Sequence, residues 1–245
     1  MALLSTPAVV LSSMKLGEAD KLVTFYTRER GKISGVASGA RRVKNRFGAA
    51  LEPFTHCGVI LFETGGDRLA RIRQADVVDP FWALLKNWER LRLAAEMCDL
   101  VKRMTPERDP NTATYRLLLD GLTRLAQGDD PPLSNIIFTI RLTTHCGYQP
   151  RWDRCMRCHA KLNGARTSFS ASDGGCICSR CTPSHAARTL PAVSPGTRAY
   201  VQQLARMGYA LAHRLKPSPL IKREVTLLFQ NHIAFAVGLP PRGTK

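Results

Sequence analysis

The sequence predicts an α+β multidomain protein, in which a small N-terminal β-barrel is followed by an α-helical domain that contains a zinc module. Short β-branched and aromatic runs dominate residues 1–80, and apolar residues recur at helical spacing from residue 81 onward. Two Cys-x-x-Cys pairs interrupt the helical part of the 245-residue chain. We therefore expect a barrel domain over residues 1–80 and a helical domain over 81–245, with the zinc module at about residues 152–185.

Five short runs in the N-terminal domain have the composition of β-strands. They cover residues 8–11, 22–27, 33–37, 57–62 and 69–72, and the turn residues between them include Gly17, Arg30-Gly31 and Gly65-Gly66-Asp67. Five strands in about eighty residues leave no room for long helices and fit a closed barrel of the OB type. The pattern by itself does not distinguish this barrel from an SH3-like barrel.

The apolar period changes after Asp79-Pro80. An amphipathic stripe predicts a first helix and consists of Phe81, Leu84, Leu85, Trp88, Leu91, Ala95 and Cys98. Three further helices are expected from about 115 to 125, from 134 to about 146, and from Ser194-Pro195 through 204, where serine caps the helix and proline takes its first position. A last helix is expected over about 220–233.

The four cysteines of the two pairs, Cys155, Cys158, Cys178 and Cys181, have the spacing of a zinc site. Each pair places two thiolates on one turn, and the 19 residues between the pairs let the second turn complete a tetrahedron. Four sulfur ligands leave no open coordination position, so one structural Zn²⁺ is expected. A redox dithiol does not explain the second pair. Cys176 is an alternative to Cys178 as a ligand, although it leaves four residues before Cys181.

The basic charge is concentrated near the C-terminus. Residues 146–245 contain 15 basic and 3 acidic residues, which accounts for +12 of the net +17. Such a surface indicates a polyanionic partner, most plausibly nucleic acid, and a solvated basic surface is the alternative. A second basic segment runs from Gly39 to Phe47 between the third and fourth predicted strands. Its cations, Arg41, Arg42, Lys44 and Arg46, are candidate phosphate contacts, and the nearby Phe47 is a candidate ring for stacking on a base. A solvated charged loop is the alternative. Lys32, Arg71 and Arg73 on the predicted barrel are candidates to extend this surface.

Sequence signatures of enzymes and of membrane segments are not found. The sequence has no P-loop around Gly31-Lys32, no His-Glu-x-x-His, and no His-x-Glu before the cysteine pairs. The apolar start has no basic n-region, and no run of eighteen apolar residues occurs. We therefore expect a cytoplasmic, non-enzymatic protein without membrane contact. A zinc-dependent nucleic-acid enzyme and a zinc-containing, sequence-specific DNA-binding regulator are the alternative functions.

Several segments together resemble the bacterial recombination mediator family RecO. In the barrel these are residues 17–23, 27–37 and 39–42, followed by Arg46-Phe47 and residues 51–55. In the module they are Cys155-x-x-Cys158, Phe169-Ser170, and Gly174-Gly175 shortly before Cys178-x-x-Cys181. The order of these elements agrees over nearly the whole chain.

The resemblance implies an N-terminal OB fold, a helical domain with a four-cysteine zinc site, and a role in repair by homologous recombination. It implies binding of single- and double-stranded DNA, annealing of complementary strands, and action with the partner RecR. The two proteins would help the recombinase RecA to displace single-stranded-DNA-binding protein, at the bacterial nucleoid. By position, Arg41, Arg42, Lys44 and Arg46 match the family's basic barrel segment.

Overall fold

The computed structural model describes residues 2–63, 69–164, 166–183 and 189–238. The predicted turn at Gly65-Gly66-Asp67 lies outside these residues. The chain forms two compact units, Met1–Phe138 and Thr139–Lys245, and the division between them falls inside a helix. Each unit is described by itself.

The N-terminal unit begins with a closed five-stranded barrel. Its strands are β1 (Ala2–Leu16), β2 (Asp20–Thr27), β3 (Gly31–Ala37), β4 (His56–Glu63) and β5 (Ala70–Asp79), in the order β1-β2-β3-β5-β4. The barrel closes through the pairing of β1 with β4, and β3 pairs with β5 in parallel whereas the other neighbours are antiparallel. This strand order is that of an OB fold, so the five predicted strands and the OB type are confirmed.

The barrel is held by a single apolar core. In β3 buried positions alternate with partly exposed ones, as expected for a strand with one face toward a core. Phe25, Ile33, Leu61 and Ile72 come from the strands, and Leu51 comes from a 3-10 turn at Gly48–Leu51 that covers the core before β4. β1 and β5 are much longer than predicted because their ends pair with neighbours despite a weaker apolar pattern.

Helices follow directly after β5. They are α1 (Trp82–Leu85), α2 (Trp88–Met104), α3 (Thr112–Gln127) and α4 (Pro131–His145). The prediction of one continuous helix from Phe81 to Cys98 is wrong. The Asn87 side chain accepts a hydrogen bond from the Arg90 amide (3.1 Å) and so starts a new helix at Trp88. Leu85 and Trp88 are consequently exposed rather than part of the buried stripe.

Within the N-terminal unit, the segment between α2 and α3 packs closely on the barrel. The Arg108 amide donates to the Lys32 carbonyl (2.8 Å), and His56 shares a 2.9 Å hydrogen bond with the Tyr115 hydroxyl. Gly31 adopts a left-handed conformation (φ +62°), and a Cβ atom there would lie 2.0 Å from the Asp109 carbonyl oxygen. Only glycine therefore allows this approach.

The described residues of the C-terminal unit form the end of α4, a small sheet and three further helices. The strands β6 (Thr167–Ser170), β7 (Gly175–Ile177) and β8 (Ala192–Val193) form a sheet in the order β7-β6-β8. The helices are α5 (Pro195–Arg206), α6 (Tyr209–Ala212) and α7 (Pro219–Ala236). The Ser194 hydroxyl accepts from the Thr197 amide (3.2 Å), so the predicted cap of α5 is confirmed. α6 was not predicted, because four residues are too short to show a helical period.

Candidate functional site

The basic loop after β3 is anchored by hydrogen bonds from its backbone amides. The Gly39 amide donates to the Asp20 carboxylate (2.8 Å), and the Arg41 amide donates to the Ala19 carbonyl (2.9 Å). Farther along, the side-chain Oδ1 of Asn45 accepts from the backbone amides of Phe47 and Gly48 (3.0 Å each). These contacts give the loop a defined conformation.

Phe47 and Arg41 are used within the protein. Phe47 is only 4% exposed and belongs to the barrel core, so it anchors the loop instead of offering a ring to a nucleic-acid base. The Arg41 guanidinium donates to the carbonyls of Gly17 (2.8 Å) and Glu18 (2.7 Å), which ties the loop to the turn between β1 and β2. The expectation of a base-stacking aromatic ring at this loop is therefore wrong for Phe47.

The remaining cations of the loop face solvent. The Arg46 guanidinium lies 4.9 Å from the centre of the Phe47 ring. Arg42 and Lys44 are exposed, and their side chains make no hydrogen bond or ion pair with any part of the chain that the structure describes. Val43 between them is fully exposed. The loop thus presents positive charge on a backbone that is already in place.

Lys32 does not extend this surface. Its ammonium group donates to the carbonyls of Lys102 (2.7 Å) and Thr105 (2.6 Å) at the end of α2, and it lies 3.5 Å from the Glu107 carboxylate. It therefore satisfies helix-end carbonyls that would otherwise lack partners. Arg71 and Arg73, in contrast, are exposed on β5.

The four cysteines of the C-terminal unit converge on one point. The Sγ atoms of Cys155, Cys158, Cys178 and Cys181 all lie within 4.8 Å of one another, and those of Cys158 and Cys178 are 3.7 Å apart. A tetrahedral site with metal–sulfur bonds of about 2.3 Å requires sulfur–sulfur distances of about 3.8 Å. The cluster therefore has the dimensions of a four-thiolate metal site.

Backbone geometry shapes both cysteine turns. In the first, the His159 amide donates to the Cys155 carbonyl (2.9 Å) and His159 adopts a left-handed conformation (φ 59°). In the second, the Cys181 amide donates to the Cys178 carbonyl (3.0 Å). The Cys178 amide also donates to the Cys155 Sγ (3.4 Å), which links the two turns.

The environment of the sulfurs favours negative charge at one of them. Burial opposes ionisation of Cys155, but the backbone amides of Cys158, Cys178 and Arg157 outweigh it and lower the pKa of the thiol to about 6. At Cys181, the neighbouring Cys158 and Cys178 sulfurs raise the pKa of the thiol to about 12. Four thiolates at this separation repel one another, and a bound cation relieves that repulsion.

Cys176 and His159, which are near the cysteine pairs in sequence, lie outside the cluster. Cys176 is fully buried in β7, where burial raises the pKa of its thiol to about 11. His159 is exposed, and its role is in the turn. Neither residue belongs to the metal-type cluster found among the described residues.

Residues without a recognisable motif hold the cluster in place. Arg157 donates to the Cys181 carbonyl (3.0 Å) and forms an ion pair with Asp173 (3.3 Å), so it joins the first turn to the second. Gly175 pairs with Arg151, and a Cβ atom on Gly175 would lie 2.4 Å from the Arg151 carbonyl oxygen. The Gly174-Gly175 pair was a sequence signal for this contact, whereas nothing in the sequence pointed to Arg157–Asp173.

Comparison with known proteins identifies the family of the chain. The sequence profile described as "Recombination protein O N terminal" matches residues 1–81, and that described as "Recombination protein O C terminal" matches residues 85–245. The chain belongs to the RecO family. The family's role in recombination and DNA repair therefore applies to it.

Individual relatives cover most of the RecO-family chain. The DNA repair protein RecO of Anaeromyxobacter sp. (strain K) is 34% identical over 229 residues, 92% of this chain and 89% of the relative. The DNA repair protein RecO of Pelotomaculum thermopropionicum is 32% identical over 235 residues, 96% of this chain and 90% of the relative.

Among the described residues, no helix has both the length and the apolar character needed to cross a membrane.

Proposed function

We propose that this RecO-family chain binds single- and double-stranded DNA through phosphate contacts and anneals complementary strands. The observation that carries the proposal is the basic loop, whose exposed cations Arg42 and Lys44 lie on a backbone held by other residues. Cations of this kind bind phosphates by releasing counterions and do not distinguish sequences. Arg41 and Arg46 add charge at the two ends of the same loop.

Family membership supports the rest of the proposed role. Together with RecR, the chain would help RecA to replace single-stranded-DNA-binding protein on single-stranded DNA, in the bacterial cytoplasm at the nucleoid. Annealing of strands and replacement of one DNA-bound protein by another break no covalent bond, so the protein needs no catalytic group. It acts by reducing the repulsion between two phosphate backbones.

The metal in this proposal is one zinc ion held by Cys155, Cys158, Cys178 and Cys181. Four thiolates at tetrahedral spacing are typical of Zn²⁺, and they leave no position for substrate or water. When bound, the ion supplies folding free energy to the cysteine turns and no chemistry. This closed ligand set also supports a non-enzymatic role.

The test is annealing of complementary strands covered with single-stranded-DNA-binding protein, by the full-length chain and by Arg42→Ala/Lys44→Ala. A matched control, Lys86→Ala/Arg116→Ala, removes two other exposed cations of the same unit. We expect the loop variant to anneal more slowly and to bind oligo(dT) with a salt slope smaller by about 1.4, or about 0.7 per lost phosphate contact.

Two results would contradict the proposal. If the folded wild-type chain did not anneal the strands, the mediator role would be wrong. If the loop variant had the same salt slope as the control variant, the loop would not be the phosphate contact. Strong preference for one duplex sequence over random competitors would favour a sequence-specific regulator instead.

A further inference from the structure

The C-terminal unit contains a surface cavity of about 470 Å³ that the cysteine cluster does not use. One wall is the segment that leads into the first cysteine turn, and the other is the last turn of α5. The polar lining residues are Gln149, Arg151, Trp152, Asp153, Gln202 and Arg206. The volume is within the range of about 300–1,000 Å³ that is typical of ligand sites.

Both walls are held by contacts outside the cavity. The Arg151 amide donates to the Gly174 carbonyl (3.0 Å), and the Arg151 carbonyl accepts from the Cys176 amide (3.0 Å), which leaves the Arg151 side chain exposed. At the end of α5, the Arg141 guanidinium donates to the carbonyls of Leu204 (3.0 Å) and Met207. This cation offsets the negative end of the helix dipole next to the cavity.

Trp152 lines the cavity with an indole that is largely buried. Phe169 and Phe229 both stack on the indole, with ring centres 5.3 and 5.9 Å away, and the residue is only 3% exposed. Its Nε1–H is buried and finds no acceptor among the described residues. Because this N–H is covered by the protein, Trp152 is a neighbouring group that reports on the cavity and is not itself a ligand contact.

The cavity lining is rich in donors. Arg151 and Arg206 provide two guanidinium groups, and the side-chain amides of Gln149 and Gln202 add further N–H groups. Asp153 is the single carboxylate of the lining, and its charge is offset by Arg154 at 3.8 Å. Such a site suits an oxyanion with several acceptor oxygens.

We propose that this cavity binds a phosphodiester group of single-stranded DNA together with its attached nucleoside. The inference rests on the DNA binding proposed above and gives it a second site in the C-terminal unit. Because the volume exceeds what one phosphate fills, the two glutamine amides can also contact the edge of an unstacked base. The high positive charge of residues 146–245 favours a polyanion as the ligand.

The first experiment compares oligo(dT) binding by the full-length, metal-loaded chain and two double variants. Arg151→Ala/Arg206→Ala removes the cavity cations, and Arg214→Ala/Arg223→Ala removes two exposed cations elsewhere in the same unit. We expect roughly tenfold weaker binding for the cavity variant, as for the loss of a charge-assisted hydrogen bond, and a much smaller change for the control.

The second experiment observes the buried donor directly. The chain has three tryptophans, so ¹H–¹⁵N spectra show three indole signals, and Trp152→Phe assigns the one from the cavity while retaining an aromatic ring in the stack. Oligo(dT) should shift the Trp152 signal in the wild type but not in Arg151→Ala/Arg206→Ala. If Trp152→Phe does not fold, Trp82→Phe and Trp88→Phe, at exposed positions, assign the signals by elimination.

The outcomes separate this inference from the proposed function. If the wild-type chain did not bind oligo(dT) at all, the proposed function itself would fail. If it bound, but the two double variants were equal and the Trp152 signal did not move, only the cavity would be wrong. A shift caused by inorganic phosphate or a poly-glutamate peptide but not by oligo(dT) would also overturn the DNA site and would indicate a free anion or a protein partner.

Discussion

The basic loop and the cysteine module position their functional groups in opposite ways. In the loop, Asp20, Asn45 and the buried Phe47 hold the backbone, and the exposed cations Arg42 and Lys44 contribute nothing to that frame. In the module, the four sulfurs are themselves the point on which both turns converge. We therefore expect that charge can be removed from the loop without loss of structure, whereas removal of a sulfur from the module should destabilise it.

Loss of a cysteine ligand tests the structural side of this comparison most strongly. Cys155→Ser should lower the zinc content from one ion per chain toward zero and decrease the free energy of unfolding by more than about 4 kcal/mol, because metal binding is coupled to folding. Metal analysis and denaturant unfolding measure the two effects. Cys146→Ser, outside the cluster, should change stability by less than about 1 kcal/mol. If the Cys155→Ser chain lost zinc but kept its stability, the cysteine module would not depend on its sulfurs for structure, and it would not differ from the loop in this respect.

The next largest effect should come from the contact that positions the second cysteine turn. Gly175→Ala would force a Cβ atom to within 2.4 Å of the Arg151 carbonyl oxygen, and we expect a loss of about 2–4 kcal/mol and faster zinc release to a chelator. Gly208→Ala is the control, since no atom lies within 4 Å of its Cβ position and its φ is −62°. Equal behaviour of the two variants would show that the Arg151–Gly175 pairing is not needed.

Two lysines of the barrel sharpen the distinction between structural and binding cations. Lys32→Met removes the donor to the Lys102 and Thr105 carbonyls, and should lower the free energy of unfolding by about 1–3 kcal/mol without changing the salt slope of DNA binding. Lys44→Met should leave the free energy of unfolding unchanged within about 0.5 kcal/mol. It should reduce the salt slope of DNA binding by about 0.7. A reduced salt slope in a folded Lys32→Met chain would contradict this division.

The smallest predicted effect is the acid sensitivity that His56 gives to the N-terminal unit. Burial lowers the pKa of His56 below its usual 6.5 against the opposing charge of Asp79, so the folded chain binds fewer protons than the unfolded chain. Its contribution to stability is therefore complete above pH 6.5 and is lost as the pH falls below that value. The slope cannot exceed about 1.4 kcal/mol per pH unit for one proton, and partial exposure reduces it. His56→Gln should reduce the change in the free energy of unfolding between pH 7.5 and 5.5. If that change were the same as in the wild type, other groups would cause the loss of stability in acid.

Local sequence signals predicted helix starts well where a side chain caps the helix, and poorly where two signals competed. Ser194 was recognised, but the apolar spacing from Phe81 to Cys98 hid the cap at Asn87. Likewise α4 begins at Pro131 and not at Ser134, because Asp130 accepts from the Leu133 amide (3.2 Å) and the prolines occupy the first turn. In both places a side-chain hydrogen bond outweighed the apolar periodicity.

The sequence alone determined the five strands, the helical half and the membership of the cysteine quartet, because strand alternation and thiolate spacing are local properties of the chain. Only the tertiary structure decided which cations are free. Lys32 and Arg41 are the same residue types as Lys44 and Arg42, so the sequence does not distinguish them. Long-range contacts direct the side chains of the first two to carbonyl oxygens and leave those of the other two in solvent. The burial of Trp152 was likewise decided by the tertiary structure, because its stacking partner Phe229 lies 77 residues later in α7. Contacts between residues distant in sequence depend on the folded backbone, and no local pattern encodes them.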